Sequence, residues 1–540
     1  MKNLTRLSST SLLKAVALST TIGLLVGCQT IKDIQNIDPL KDVVFKLNYQ
    51  PAKTQIQGLV VDAKTGLPLQ IPIQINLVGK DAGRAVTFEG KSITTYKAPK
   101  GDVFIGLTGV EPTQTTPAEL RIVVDADGYI ASSANLSITK SLNDPFQIRL
   151  VKFDSPPTGV ASKALSTPTS ASGVLTSQRV IEVATAASGS IKAMPMTFTL
   201  PANTTLKDSK GAPVAGNVTT SVMAFNGQSS EARQSFPGGL LAPLAKSAQG
   251  KNDVKGLFNP VSFAAIEMRN AGGQTVSTFN QPATIQMGVP GSTFNTSTGQ
   301  LVKENDKLEV YSYDELTGAW TYERSVAVRL ASTGLVADVP ITHLSYYSLT
   351  TPRDTETFQV SYTVSNLPSG AAYTYSLFQF NPGSDSQGTE VRRASSTDGT
   401  LTFNLPVGNY RLSVYDPIDL TLLGSTTISN TTNSTTDVTY TPPTGRLKAA
   451  FTVKAVCENG KNFEVYPTVS VFYNETGMQG GGVATFASGK GDLTGLKPNT
   501  DYTATVYYEG SFSVNFNSGS ADSEHVLDYV LKSNTIACKN

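Results

Sequence analysis

The chain reads as an all-β protein built from tandem immunoglobulin-like or transthyretin-like β-sandwiches, and three observations carry that expectation. Apolar residues recur with period two through many short segments, as at Ile71, Ile73, Ile75 and Leu77, which is the pattern of a strand with one buried face. The segments are separated by turn-forming stretches such as Thr65-Gly66-Leu67-Pro68 and Lys497-Pro498-Asn499-Thr500, whose residues favour tight backbone reversal. Finally, 540 residues exceed what a single hydrophobic core organises, so the chain divides into several domains.

Composition bounds the partners. Lys and Arg number 43 against 42 Asp and Glu, so there is no basic excess of the kind that draws nucleic acid, and no polybasic membrane patch. Charged residues make up 16 % of the chain, below the ~25 % of ordinary soluble domains. The three cysteines are Cys28, Cys457 and Cys538. The last two fall in one terminal segment, where an oxidising compartment would favour a disulfide between them over two buried thiols.

Residues 1–27 have the layout of a secretory signal. Lys2 and Arg6 give a basic start, Leu12 to Leu25 are mostly apolar, and small residues precede a cleavage point. The apolar run is interrupted by Lys14 and a Ser-Thr-Thr stretch, and it falls short of the ~20 residues that span a bilayer. The closing Leu25-Val26-Gly27-Cys28 resembles the bacterial lipobox. That resemblance implies cleavage before Cys28 and lipid attachment there, and Gln29 after the cysteine fits outer-membrane sorting. The membrane is then a partner through lipid, with the protein on the surface or periplasmic face. Loss of Lys2, Arg6 and Lys14 with the signal would leave 40 basic residues (43 − 3) against 42 acidic ones.

Residues 28–50 form a tether with short apolar runs. The segment 51–152 opens Gly58-Leu59-Val60-Val61-Asp62 and turns at Thr65-Gly66-Leu67-Pro68. It resembles carboxypeptidase regulatory-like domains, which implies a seven-stranded sandwich and little about function. Residues 153–172, rich in Pro, Ser, Thr and Ala, read as an exposed linker. The segment 173–352 carries strands at 180–183, 196–200, 218–224, 264–268, 285–289, 308–313, 320–323 and 326–330, with 227–255 as an inserted loop. Its Tyr313-Asp314-Glu315-Leu316-Thr317-Gly318-Ala319-Trp320 hairpin and Thr342-His343-Leu344-Ser345-Tyr346 stretch resemble the β-sandwich of ankyrins and netrin receptors, with the only tryptophan anchoring the hairpin in the core. Residues 355–444 turn at Leu405-Pro406-Val407-Gly408-Asn409-Tyr410, which resembles transthyretin-like modules. Residues 446–540 hold Leu496-Lys497-Pro498-Asn499-Thr500-Asp501-Tyr502, similar to the fibronectin type III corner in which a tyrosine hydroxyl bonds to upstream backbone. Strung end to end, these modules would make a rod.

Reactive residues are scarce. Two histidines, His343 and His525, and no G-x-S-x-G elbow leave little for metal, Cys or Ser-His-Asp chemistry, so no cofactor and no enzyme is expected. His343-Leu344-Ser345 does resemble the cleavage triplet of self-cutting surface domains. There Ser345 would attack the Leu344 carbonyl with His343 as base, and the competing reading is that the triplet merely ties an edge strand. Tyr346-Tyr347, Tyr473 and Tyr507-Tyr508 could stack on sugars, although alternation turns one of each adjacent pair inward. Asp125, Asp127 and Gly128 lack full calcium-loop spacing and read as turn residues. The expected role is structural or recognition in the cell envelope, toward an envelope protein or a polysaccharide. The alternatives are a self-cleaving surface protein and an accessory carbohydrate-binding subunit.

Overall fold

In the computed structural model, which describes residues 45–49 and 52–531 apart from short internal stretches, the chain is all-β, with tandem sandwiches as the sequence predicts. Cys28 with the rest of residues 1–44, and Cys538, lie outside the described residues.

The first module follows from its alternation. Strand Ile73–Val78 buries every second side chain and lies between Thr95–Ala98 and Ala118–Ala126 in a four-stranded sheet. The facing sheet centres on Thr54–Asp62, antiparallel to Asp102–Leu107 and parallel to Phe146–Lys152. Ile56, Val60, Ile75, Ile105, Ile122 and Leu150 fill the space between. The turn after Asp62 is a hydrogen-bonded device: its carboxylate accepts from the backbone N–H groups of Lys64 and Thr65, each at 2.9 Å, while Gly66 takes φ +70°.

The second module holds the largest sheet. Its path runs Val160–Thr169, Gly216–Asn226, Pro260–Asn270, Tyr346–Thr350, Lys307–Asp314, Ala319–Ala331, Gly334–His343, Thr278–Gly288, Pro195–Leu200 and Arg179–Ala184. The expected strands at 320–323 and 326–330 are one strand of 13 residues. Its first part pairs with Lys307–Asp314 and its end with Gly334–His343, so it carries the sheet from one layer to the other. The expected linker 153–172 is corrected too, because Val160–Thr169 pairs antiparallel with Gly216–Asn226. This is the outermost strand of the path, and such a strand needs backbone pairing more than an apolar face. Pro168 is tolerated there for the same reason.

Four strands of this sheet are buried on both faces. Val222, Ala264, Val310 and Tyr347 face the module's own core, while Phe225, Phe263, Tyr313 and Tyr346 face an outer one, as alternation along a strand requires. The insertion covers that outer face. It is not wholly a loop: Ser230–Gln234 is an α-helix capped by Ser229, and Phe236 and Leu240, joined by Phe258 just beyond the insertion, pack over the aromatic side chains.

The third module packs Thr357–Val364, Thr400–Pro406 and Ser434–Val438 against a four-stranded sheet centred on Tyr373–Phe380 and Gly408–Tyr415. The fourth pairs Leu447–Cys457 with Lys490–Leu496 and, in parallel, with Ser523–Leu531. Each of these three smaller modules thus closes its sheet with a parallel pair between an early and a late strand. In the fourth, an added strand comes from far upstream: Phe45–Tyr49, expected within the tether, pairs in parallel with Phe463–Pro467.

The modules do not form a rod. The outer aromatic core of the second module is continuous with Ile130 and Val151 of the first and with the interior of the third. Ile418 of the third module joins the core of the fourth, and Phe104 of the first packs against it.

Candidate functional site

The His343-Leu344-Ser345 triplet lies at the end of Gly334–His343 and the approach to Tyr346–Thr350. Ser345 is buried. Its hydroxyl accepts from the Tyr313 N–H at 3.1 Å and donates to the Tyr313 carbonyl, bracing the approach to one strand against its neighbour. The Leu344 N–H donates to Ser277 O at 2.9 Å, and the Tyr347 hydroxyl donates to the His343 carbonyl at 2.8 Å. The His343 ring lies 5.5 Å from that of Tyr347. Among the described residues no hydrogen bond joins His343 to Ser345, so the geometry brings Ser345 to Tyr313 rather than to its expected base. His525 stands in another module, with its ring stacked on Phe451 at 4.6 Å and its Nε2 2.9 Å from the Ser523 hydroxyl.

Of the tyrosines considered for sugar stacking, Tyr346, Tyr347 and Tyr473 are interior. Tyr346 and Tyr347 are each 1 % exposed, and so is Tyr473. Both members of the adjacent pair are covered because each face of their strand meets a core. Tyr473 donates to the Thr494 carbonyl at 2.7 Å. The side chains of Tyr507 and Tyr508 lie outside the described residues. Tyr502 accepts from the Lys497 N–H at 2.8 Å, closing the expected corner, and Tyr410 donates to the Pro406 carbonyl at 3.0 Å in the equivalent turn of the third module. Asp127 and Gly128 form a turn in which Gly128 has φ +80°, whereas Asp125, expected in the turn, belongs to the strand Ala118–Ala126. Cys457 is buried at the end of its strand; its expected partner Cys538 lies outside the described residues.

What the structure does build is a joint between the first and second modules. Arg121 donates to Asn135 Oδ1 at 2.6 Å and to the Thr317 carbonyl. The Tyr313 hydroxyl bonds to Ser133, Tyr346 donates to the Ala131 carbonyl at 2.8 Å, and Asn135 donates to the Gly238 carbonyl at 3.2 Å. Gly318, at φ +64°, lies against the Arg121 side chain, where a Cβ would collide. Trp320 stacks on Phe236 at 4.6 Å and donates to the Pro237 carbonyl at 2.9 Å. The only tryptophan is therefore buried as expected, but in the core shared between modules. Beside the joint, burial pushes the Glu267 carboxyl up to about 7, with Asp125 adding to the rise and Arg269 opposing it.

A second joint links the third and fourth modules. Arg446 donates to Asp416 at 3.0 Å and to Asp419 at 2.8 Å, and Lys497 forms a longer ion pair with Asp419 at 3.9 Å. Burial raises the Asp419 carboxyl, but hydrogen bonds from Thr421 and Arg446 outweigh it and hold the group at about 2. Both joints escaped sequence reasoning because their partners are distant in the chain. One signal was present: Val261-Ser262-Phe263-Ala264-Ala265-Ile266 lacks polar alternation, as a strand covered on both faces should.

No family model and no curated protein matches the chain. Among solved structures it is similar to the minor pilin GBS52 of Streptococcus agalactiae, at 11 % identity and a TM-score of 0.15 over 32 % of this chain and 94 % of that one. It is also similar to the TIE protein of Bacillus anthracis, at 10 % identity and a TM-score of 0.15 over 79 % and 74 %. The major pilin subunit of Bacillus cereus gives 9 % identity and a TM-score of 0.13 over 72 % and 99 %. Identities and scores this low leave the functional reading to the chain's own residues.

Proposed function

We propose that the chain is a lipid-anchored envelope protein with a structural or recognition role, held at the outer membrane through Cys28 and acting by binding rather than by bond-making chemistry. The observation that carries this reading is where its chemically capable side chains sit. Ser345 braces Tyr313, His525 stacks on Phe451, and Trp320, Tyr346, Tyr347 and Tyr473 are interior. Sheet edges and loop ends remain for contact with an envelope protein or polysaccharide. Three acyl chains at ~0.8 kcal/mol per buried methylene would hold it essentially permanently.

Labelled palmitate should enter the wild-type chain and not Cys28→Ser, and pulldown from envelope extracts should recover a saturable partner. No incorporation removes the anchor, and no partner at any concentration removes recognition. On a denaturing gel, wild type and Ser345→Ala should each give one band at the same mobility; a wild-type fragment beginning at Ser345 would establish self-processing instead. Within the same reading Cys457 pairs with Cys538, a loop worth ~4 kcal/mol in the chain-entropy model. Alkylation without reductant should leave both thiols unlabelled.

A further inference from the structure

The strand Phe45–Tyr49 lies just ahead of the first module in sequence but belongs to the sheet of the fourth. Its five residues pair in parallel register with Phe463–Pro467, Phe45 opposite Phe463 through Tyr49 opposite Pro467. Only residues 50–53 separate it from Thr54, where the first module's sheet begins. A second contact reinforces the same closure, since Phe104 of the first module packs against the core of the fourth.

We propose that Phe45–Tyr49 is a clasp: the tether donates this strand to the edge of Phe463–Pro467, so that the first and fourth modules are held together on the side of the membrane anchor. Backbone hydrogen bonding supplies the recognition, as in strand addition to an open sheet edge. The occupant is the chain's own segment, because the four-residue connection ties the donor to the first module, whose Phe104 packs against the fourth, giving an effective concentration that a separate molecule does not match. The clasp also removes an exposed edge that would otherwise invite pairing with another chain. The membrane placement rests on the reading of Cys28 as the lipid site. From Cys28 to Phe45 is 17 residues (45 − 28), which at about 3.5 Å per residue reaches at most ~60 Å. The acceptor strand of the fourth module is thereby held within that reach of the anchor.

The clasp itself is tested without lipid, in the full chain carrying Cys28→Ser together with Asn48→Cys and Tyr466→Cys. Under mild oxidation, peptide mapping should find residues 48 and 466 linked within a monomer. Absence of the link, or its appearance only in dimers, overturns the clasp. In the same background without the added cysteines, Asn48→Pro removes a backbone donor. It should raise amide exchange across 463–467 at least tenfold while strand Asp501–Tyr507 keeps its protection; unchanged exchange at 463–467 overturns the proposal. Placement is read on lipidated chain in phosphatidylethanolamine and phosphatidylglycerol vesicles. Spin labels at exposed positions 458 and 330 should show Glu458→Cys, at the strand end beside the clasp, several-fold closer to a headgroup quencher than Leu330→Cys, and equal or reversed quenching overturns the membrane arrangement. Failure of the lipidated chain to bind vesicles sinks the anchor alone, because the crosslink and exchange results do not use it.

Discussion

Trp320 combines two interactions that separate cleanly under mutation. Its ring stacks on Phe236 and its indole N–H bonds to the Pro237 carbonyl. Trp320→Phe keeps most of the stacking and orphans one buried acceptor, which should cost about 1–3 kcal/mol; Trp320→Ala also opens a cavity and should cost about 3–5 kcal/mol. Denaturant melts of both variants check the ordering, and equal losses would show that stacking contributes little. Glu267 gives a pH dependence with a definite sign. Its carboxyl rises from an ordinary 4.5 to about 7 on folding, so the folded state holds the proton more tightly. Its contribution to stability is therefore complete below about 4.5 and disappears as pH rises through about 7. Glu267→Gln, neutral at every pH, should raise the melting temperature at pH 8 and leave it nearly unchanged at pH 4. A wild-type-like pH profile in Glu267→Gln would assign the dependence elsewhere. Residue roles were legible where chemistry is local, as with Thr65-Gly66 in their turn and Tyr502 at its corner. They were not legible for Ser345, whose partner Tyr313 is 32 residues away.

Elements were read best where one face is buried and the other is wet. Ile73–Val78 and Leu401-Thr402-Phe403-Asn404-Leu405 announce themselves by strict alternation, and the turns between strands are written in Gly, Pro, Asn and Asp. Val160–Thr169 was missed because its polar composition cannot line a core, yet an outermost strand lives by its backbone ladder. The insertion 227–255 was legible, but its role as a cover was not, for the opposite reason: Phe236 and Leu240 show no periodicity, and their apolar character has meaning only above the aromatic face they cover. Glycines mark where elements meet most closely. The Gly101 carbonyl accepts from the Val60 N–H at 2.6 Å while its own N–H donates to Leu69 at 2.8 Å, and a Cβ there would strike the Val60 carbonyl. Gly101→Ala should destabilise the first module by about 1–3 kcal/mol through overpacking, whereas Gly109→Ala, at φ +64° with open space around it, should cost only its backbone strain of about 1 kcal/mol. Chemical denaturation of the pair distinguishes a steric cause from a conformational one, and a reversed order would refute the close approach.

At the scale of the whole molecule, the question is how many independent folding units four modules make. The outer aromatic core runs without interruption from Ile130 and Val151 through Phe225, Phe236, Phe263 and Trp320 to Val360 and Tyr375. The first three modules therefore share buried surface that none of them covers alone. The fourth has its own core around Phe451, Val471, Phe486 and Tyr502, and among the described residues takes from outside itself chiefly Ile418, Phe104, the short strand Phe45–Tyr49 and the partners of Arg446. Cooperativity follows shared apolar burial more than these largely buried ion pairs, whose attraction is offset by the desolvation of both charges. Calorimetry should thus show two transitions, one for modules one to three together and one for the fourth. Phe236→Ala, deleting a large side chain at the centre of the shared core, should cost about 3–5 kcal/mol and lower the first transition by on the order of 5–10 °C without moving the second. Phe486→Ala, in the fourth core, should do the reverse. Separate transitions for the first and third modules, or one Phe236→Ala effect spread equally over both peaks, would mean that the aromatic face joins its neighbours without coupling their folding.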